Sequence, residues 1–182
     1  IGKRFGFPIH SYMGLSDSKL VDDQAGYETG MGIILAALAG VNIVSGVGIL
    51  DFITCQSLEK LVIDNELCGM AYRLIDGIKH RHEKMAVDFL PEAVKQGHFL
   101  GHPPTLKLFR EEGYMPGKAV DRASAPRGGG GPTDYQRAQG IVKDLLAKDP
   151  FHLPEEKVRE LDKLVLREAR EFGMEALPAV SR

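Results

Sequence analysis

The residues best suited to chemistry fall in two short stretches: Asp17, Ser18, Lys19, Asp22, Asp23 and Gln24, then Ser45, Gly46, Gly48 and Asp51. The first set gathers carboxylates, a hydroxyl, an amide and one ammonium into a single loop. Such a loop binds a polar or cationic ligand. Equally, Asp22 or Asp23 can simply cap a helix N-terminus. The second set joins a carboxylate to glycines that allow backbone to approach a ligand closely, or that turn a barrel corner. Its spacing is not Gly-x-Gly-x-x-Gly, so a phosphate cradle at Gly46 and Gly48 has thin support. Tyr12 and Tyr27 can offer ring faces to an ammonium by cation–π attraction, or pack in a core, Tyr27 the more so because it lies on an apolar stripe. His80, His82 and Glu83 suggest a metal pair without a third ligand nearby. His98 and His102 bracket Phe99 in a loop where packing explains them.

Those stretches need elements to hold them. Residues 7–13 read as a short buried strand, opened by Pro8. Tyr27, Met31, Ile34, Leu35 and Leu38 recur at helical spacing and define an inward face, with Gly40 as the terminating residue. Residues 41–49 form a continuous apolar run rich in β-branched side chains, the pattern of a strand covered on both faces. Ser57 then caps a helix whose inward residues are Leu58, Leu61, Val62, Cys68, Tyr72 and Ile75. Gly77 closes it, and residues 78–82 read as a third strand.

This β-α-β-α-β order, with helices of crossover length, predicts parallel strands. Both chemical stretches then follow the carboxyl end of a strand, where βα-repeat proteins keep their sites. The remainder reads as helices over 83–96, 105–112, 133–148 and 154–172, interrupted by a Gly/Pro-rich loop at 123–132. Three parallel strands with uncovered edges make a poor free-standing sheet. The expected fold is therefore α/β, the C-terminal portion of a (β/α)8 TIM-type barrel followed by a helical tail; a small open α/β sheet is the alternative. In that reading residues 1–122 are barrel units, 123–132 a loop, and 133–182 a helical tail packing on the barrel.

Composition sets bounds. The 182 residues are 43% hydrophobic and 26% charged, ordinary for a globular protein, and the net charge of -2 offers no basic footprint for nucleic acid or an anionic membrane. The longest apolar run is broken by Gly32, Gly40, Asn42, Ser45, Gly46 and Gly48, and no signal peptide or membrane span is expected. Cys55 and Cys68 make neither a disulfide framework nor a zinc set, so a reducing, cytoplasmic setting is expected. The start at Ile1, close to a strand, is read as a piece cut from a longer protein, with a processed precursor as the other reading.

Several words of the sequence recur in order in one known family. They are Asp17-Ser18-Lys19, Asp22-Asp23-Gln24-Ala25-Gly26-Tyr27-Glu28, Leu38-Ala39-Gly40-Val41-Asn42 and Ser45-Gly46-Val47-Gly48. They continue with Glu59-Lys60-Leu61-Val62-Ile63-Asp64, Gly97-His98-Phe99-Leu100, Thr105-Leu106 and Asp121-Arg122. On these words, over residues 1–146, the chain resembles the C-terminal part of the trimethylamine methyltransferase family. It departs from the family where a tryptophan usually follows the Asp-Arg word. The resemblance implies a barrel that moves a methyl group from a methylated amine, trimethylamine-like or quaternary as in glycine betaine, to the Co(I) of a corrinoid carried by a partner protein. No cofactor is then bound tightly by this chain itself. Founding members use pyrrolysine, which this chain lacks; relatives without it are similar to glycine betaine methyltransferases.

Expected substrate-binding residues are Tyr12, Asp17, Asp22, Gln24, Ser45 and Asp51, with Gly46 and Gly48 as a weaker cofactor site and no metal. Expected partners are the corrinoid protein, the amine, the rest of the barrel or another chain, and further copies of the chain in a homo-oligomer. Two other readings stand beside this one: a truncated, non-catalytic scaffold or assembly subunit, and a barrel enzyme acting on a phosphorylated molecule through Gly46 and Gly48.

Overall fold

The computed structural model describes residues 1–79, 87, 90–124, 130–148 and 153–176. They fall into two compact units, residues 1–144 and 145–182. The first opens with one helical turn, α1 (Gly2–Phe5), and then β1 (His10–Tyr12), α2 (Asp23–Leu38) and β2 (Ile43–Ser45). β1 and β2 pair in parallel, with His10, Ser11 and Tyr12 opposite Ile43, Val44 and Ser45. The predicted parallel crossover is therefore present. Asn42 starts the ladder by accepting the Ile9 amide on its side chain at 2.9 Å, and the Gly14 amide extends it onto the Ser45 carbonyl at 3.0 Å.

Local chemistry sets the helix ends as expected. Asp22 is extended, and its carboxylate accepts the Ala25 amide at 3.0 Å. Gly40 ends α2 at φ 67°. The Ser57 hydroxyl accepts the Lys60 amide at the start of α3 (Leu58–Ile75), and Gly77 closes that helix at φ 63°.

The buried faces depart from expectation. On α2 the inward residues are Ala25, Thr29, Ile33 and Ala36, while Tyr27 and Leu38 are 61% and 62% exposed and Met31 and Leu35 more than half so. The reason is close approach. A Cβ on Gly32 would overlap the Met13 carbonyl oxygen, so the side toward the sheet admits only small or slender residues. On α3 the fully buried residues are Lys60, Asp64 and Ala71, whereas Leu58, Tyr72 and Ile75 are exposed. β1 is shorter than predicted, and Phe7 and Tyr12 are exposed rather than buried.

The run expected as one doubly covered strand also breaks. β2 stops at Ser45, with Ile43 exposed, and the chain turns at Gly46. It then makes a small antiparallel hairpin of β3 (Ile49–Leu50) and β4 (Cys55–Gln56). Ile78 and Lys79, the described part of the expected third strand, are not in a strand; the rest of that segment lies outside the described residues.

Beyond α3 come α4 (Leu90–Gln96), α5 (Pro103–Glu112) and α6 (Asp134–Leu146). The residues after α5 lace back to α3. The Gly117 amide donates to Glu66 at 2.8 Å, as does the Tyr114 hydroxyl at 3.3 Å, and Arg73 donates to the Glu112 carbonyl. Arg137 of α6 holds the Ala119 carbonyl at 2.8 Å, and the first unit takes in most of α6. The second unit holds α7 (Glu155–Glu171), where Leu161, Leu164 and Val165 form an exposed apolar stripe. Among the described residues no helix is long and apolar enough to cross a membrane.

Two glycines of α2 make opposite predictions. Gly26→Ala meets open space and is expected to stabilise by about 0.5–1 kcal/mol, the ordinary helical gain. Gly32→Ala meets the Met13 carbonyl and is expected to destabilise by roughly 1–3 kcal/mol. Urea midpoints of the two variants should move in opposite directions.

Candidate functional site

Because β1 and β2 are parallel, the loops that follow them leave the same end of the sheet. The first loop is organised around a residue that sequence reasoning did not single out, Glu28 of α2. It accepts the Ser16 hydroxyl at 2.6 Å and the Asp17 amide at 2.9 Å on one oxygen, and the Gln24 side-chain amide at 2.9 Å on the other. Ser16 in turn accepts the Ser18 amide, and the Ser18 hydroxyl donates to Asp22 at 2.8 Å. Gln24 and Asp22 thus hold the loop and cap the helix. Asp17 and Lys19 are exposed. The Lys19 ammonium reaches the Asp17 carbonyl at 2.8 Å and the Asp51 carboxylate at 3.1 Å.

The second loop is joined to the first. The Ser16 amide donates to the Ile49 carbonyl at 3.2 Å, and the Asp51 amide to the Ser18 carbonyl at 2.9 Å. Asp17 and Asp51 are therefore brought to one rim, with Lys19 linking the two loops. At the hairpin tip Asp51, Phe52 and Ile53 all have positive φ, 48°, 49° and 67°. That is a left-handed turn without a glycine, and each such residue costs about 1–2 kcal/mol. The Thr54 hydroxyl clamps it, donating to the Asp51 carboxylate at 2.6 Å.

The glycines serve the chain's own packing. Gly46, at φ 108°, approaches Leu15 so closely that a Cβ would lie 2.9 Å from the Leu15 amide. Gly48, at φ 80°, leaves 3.0 Å between a Cβ and that of Leu61. The Gly48 amide already has an anion: it donates to Asp64 at 2.7 Å. Asp64 accepts the Lys60 ammonium at 2.5 Å, and Lys60 also donates to Thr29 at 2.8 Å. Lys60 and Asp64 are each 1% exposed.

On the sheet, alternation sends Val44 toward the helices, where it lines a 360 Å³ apolar cavity with Ile33, Cys68 and Ala71. Tyr12 and Ser45, which pair with each other in register, face away from the helices together with His10. His10 Nε2 pairs with the Ser45 hydroxyl, and the His10 and Tyr12 rings meet edge to face at 5.1 Å. Sequence reasoning missed His10, although its spacing of two from Tyr12 is the signal that would have found it.

The rim is anionic. The Ser16 hydroxyl, the Gln24 side chain and the Asp17 amide hold the Glu28 carboxyl below its ordinary range. The Ala25 amide and Ser18 hydroxyl do the same for Asp22, and the Thr54 hydroxyl with Lys19 for Asp51. Burial pushes the Asp64 carboxyl up, against the Gly48 amide and Lys60 that pull it down. Of these carboxyls Asp51 lies on the rim, paired with Lys19, while Tyr12 is exposed on the open face of the sheet. Among the described residues no three His, Cys, Asp or Glu side chains gather as metal ligands. His80, His82 and Glu83 lie outside the described residues; His102 is buried at the start of α5, 3.9 Å from Glu92.

Glu28 gives a pH prediction. Its folded pKa is depressed, so the unfolded chain binds the proton more readily and stability rises with pH through the acid range. The Glu28 contribution is present above roughly pH 4.3 and is lost as pH falls further, through the folded value. Urea midpoints of the wild type and Glu28→Gln are expected to converge as pH falls from 7 into that range. Parallel curves would show that the charge does not hold the loop.

Comparison with known proteins bears on what such a rim does. A family model described as trimethylamine methyltransferase matches residues 1–173. The chain is 38% identical over 117 residues to a glycine betaine methyltransferase of Desulfitobacterium hafniense, covering 64% of this chain and 24% of that protein. It is 36% identical over 104 residues to the trimethylamine methyltransferase of Methanosarcina barkeri, covering 57% and 21%. A trimethylamine methyltransferase of another D. hafniense strain is 30% identical over 177 residues, 96% of this chain and 35% of its own length. The chain thus spans between about a fifth and a third of these relatives. With nearly its whole length matched by that model, the chain belongs to the trimethylamine methyltransferase family.

Proposed function

We propose that this chain contributes one side of the site of a corrinoid-dependent amine methyltransferase. The methyl donor is a tertiary or quaternary methylated amine, and the acceptor is the Co(I) of a corrinoid presented by a partner protein. The observation that carries the reading is that the loops bearing Asp17 and Asp51 are joined through Lys19 at the end of a sheet whose open face bears Tyr12, in a chain of this family. The β1-α2-β2-α3 unit would be one sector of a (β/α)8 barrel, with its remaining wall supplied by further sequence or another chain. A homo-oligomer and a reducing, cytoplasmic setting complete the proposal.

In the transfer, Co(I) supplies the electron pair of the new bond to the methyl carbon, and the carbon–nitrogen pair stays on the departing amine. A quaternary donor needs no proton and no covalent protein nucleophile. The protein's task is orientation and exclusion of water. Asp17 and Asp51 provide counter-charge and Tyr12 a ring face, while Lys19 offsets part of that charge. The offset matters, because stabilising the ammonium too strongly in the ground state would slow loss of its charge.

The full chain, with whatever completes its barrel, should convert cob(I)alamin to methylcobalamin with trimethylamine, glycine betaine or a related amine, read by visible absorbance. Asp17→Asn and Asp51→Asn are expected to raise the amine KM about tenfold, the scale of a lost charged contact. Tyr12→Leu should raise it several-fold at the ~1 kcal/mol of a cation–π contact. Absence of methylcobalamin with every methylated amine would overturn the reading.

A further inference from the structure

Gly48 is where the rim is tied to the buried interior. Its amide donates to Asp64, and its carbonyl accepts the Ser57 amide at 2.9 Å, from the residue that caps α3. One residue on, Ile49 receives the Ser16 amide; two further, Asp51 donates to Ser18. A shift of Gly48 therefore moves both loops, and with them Asp17, Lys19 and Asp51. The hairpin that starts at Gly48 carries the left-handed turn at its tip, a conformation that persists only where its surroundings over-determine it.

Stability alone does not require charge at this place. A buried ion pair can often be replaced by well-packed apolar residues at no loss. What an apolar residue cannot do is accept the Gly48 amide in a fixed direction. The arrangement is built for that purpose: Lys60 and Asp64 sit one helical turn apart on α3, and Thr29 of α2 fixes the ammonium from the other side. We propose that Asp64, aimed by Lys60 and Thr29, is a positioning residue for methyl transfer, setting the two loops through the Gly48 amide. This rests on the functional reading above and assigns to it a residue that never touches the substrate.

Two variants of the full chain test it. Asp64→Glu keeps the charge and the pairing with Lys60 but moves the carboxylate by one methylene. The double variant Lys60→Met with Asp64→Leu fills the space and removes the anchor. Both are expected to stay cooperatively folded at a lowered urea midpoint while raising the amine KM about tenfold and changing kcat little, the pattern of lost binding shared by ground and transition states. In the Asp64→Glu background Asp17→Asn should add less than about twofold, since coupled residues are not additive. Wild-type KM in both variants, or full additivity with Asp17→Asn, would overturn the proposal.

Amide hydrogen exchange separates this outcome from failure of the functional reading. Exchange at Gly48 and Asp51 should rise about tenfold or more in Asp64→Glu while α2 and α3 stay protected. If the wild type makes no methylcobalamin, the functional reading fails on its own. Unchanged exchange at Gly48 and Asp51 would overturn the positioning role whatever the activity.

Discussion

The contact between α2 and α3 is organised by a buried charge pair, Lys60 with Asp64, and the rest of the first unit is arranged around it. Each ion would carry a desolvation penalty of several kcal/mol alone. Here the penalty is offset on every side: Lys60 by Asp64 and Thr29, Asp64 by Lys60 and the Gly48 amide. Removing one member leaves the other buried and uncompensated, which typically costs about 3–5 kcal/mol. The pair thus makes the position of α3 against α2, and of the hairpin against both, a single cooperative choice.

Sequence reasoning was strongest where structure is decided locally. Asp22, Ser57, Gly40 and Gly77 end their helices through contacts within a few residues, and each was legible. The parallel pairing of β1 and β2 followed from the length of the crossover. What sequence did not show was which way the helices face. The large apolar residues of α2 point outward because the inward side must pass within backbone distance of Met13, where only Ala, Gly, Thr and one Ile fit. A stripe of Tyr, Met and Leu marks a surface suited to burial; it does not say which neighbour buries it. The same limit hid Lys60 and Asp64, since charges spaced i to i+4 ordinarily read as a solvated surface pair.

The loops that carry the candidate residues were legible in the sequence, and their geometry was not. Asp17 and Asp51 were both anticipated, and Lys19 does join their loops. Asp22 and Gln24 hold the loop by hydrogen bonds, and Glu28, the hub for Ser16, Asp17 and Gln24, was invisible because its partners lie up to twelve residues away. The turn at Asp51, Phe52 and Ile53 had no signal at all, for nothing but Gly or Asn ordinarily advertises positive φ. It exists because Thr54, Lys19 and the β3–β4 pairing close it from three sides.

That strain and the rim's chemistry belong together. A rim that is to bind a cation, as proposed above, needs carboxylates that are not committed to capping a helix. Asp22 shows the capping outcome: though exposed, its carboxylate is engaged by the Ala25 amide and the Ser18 hydroxyl. Asp51 escapes it because its left-handed backbone lifts it beyond the end of β3, leaving one oxygen to Thr54 and the other to an exposed Lys19. An exposed ion pair such as Lys19–Asp51 is weak, of order 0–1 kcal/mol, and under the proposed function a substrate ammonium would displace it readily. In the methyl transfer proposed above, a tighter clamp would hold the cation better and release its charge more slowly, so a loosely paired carboxylate such as Asp51 would serve it better.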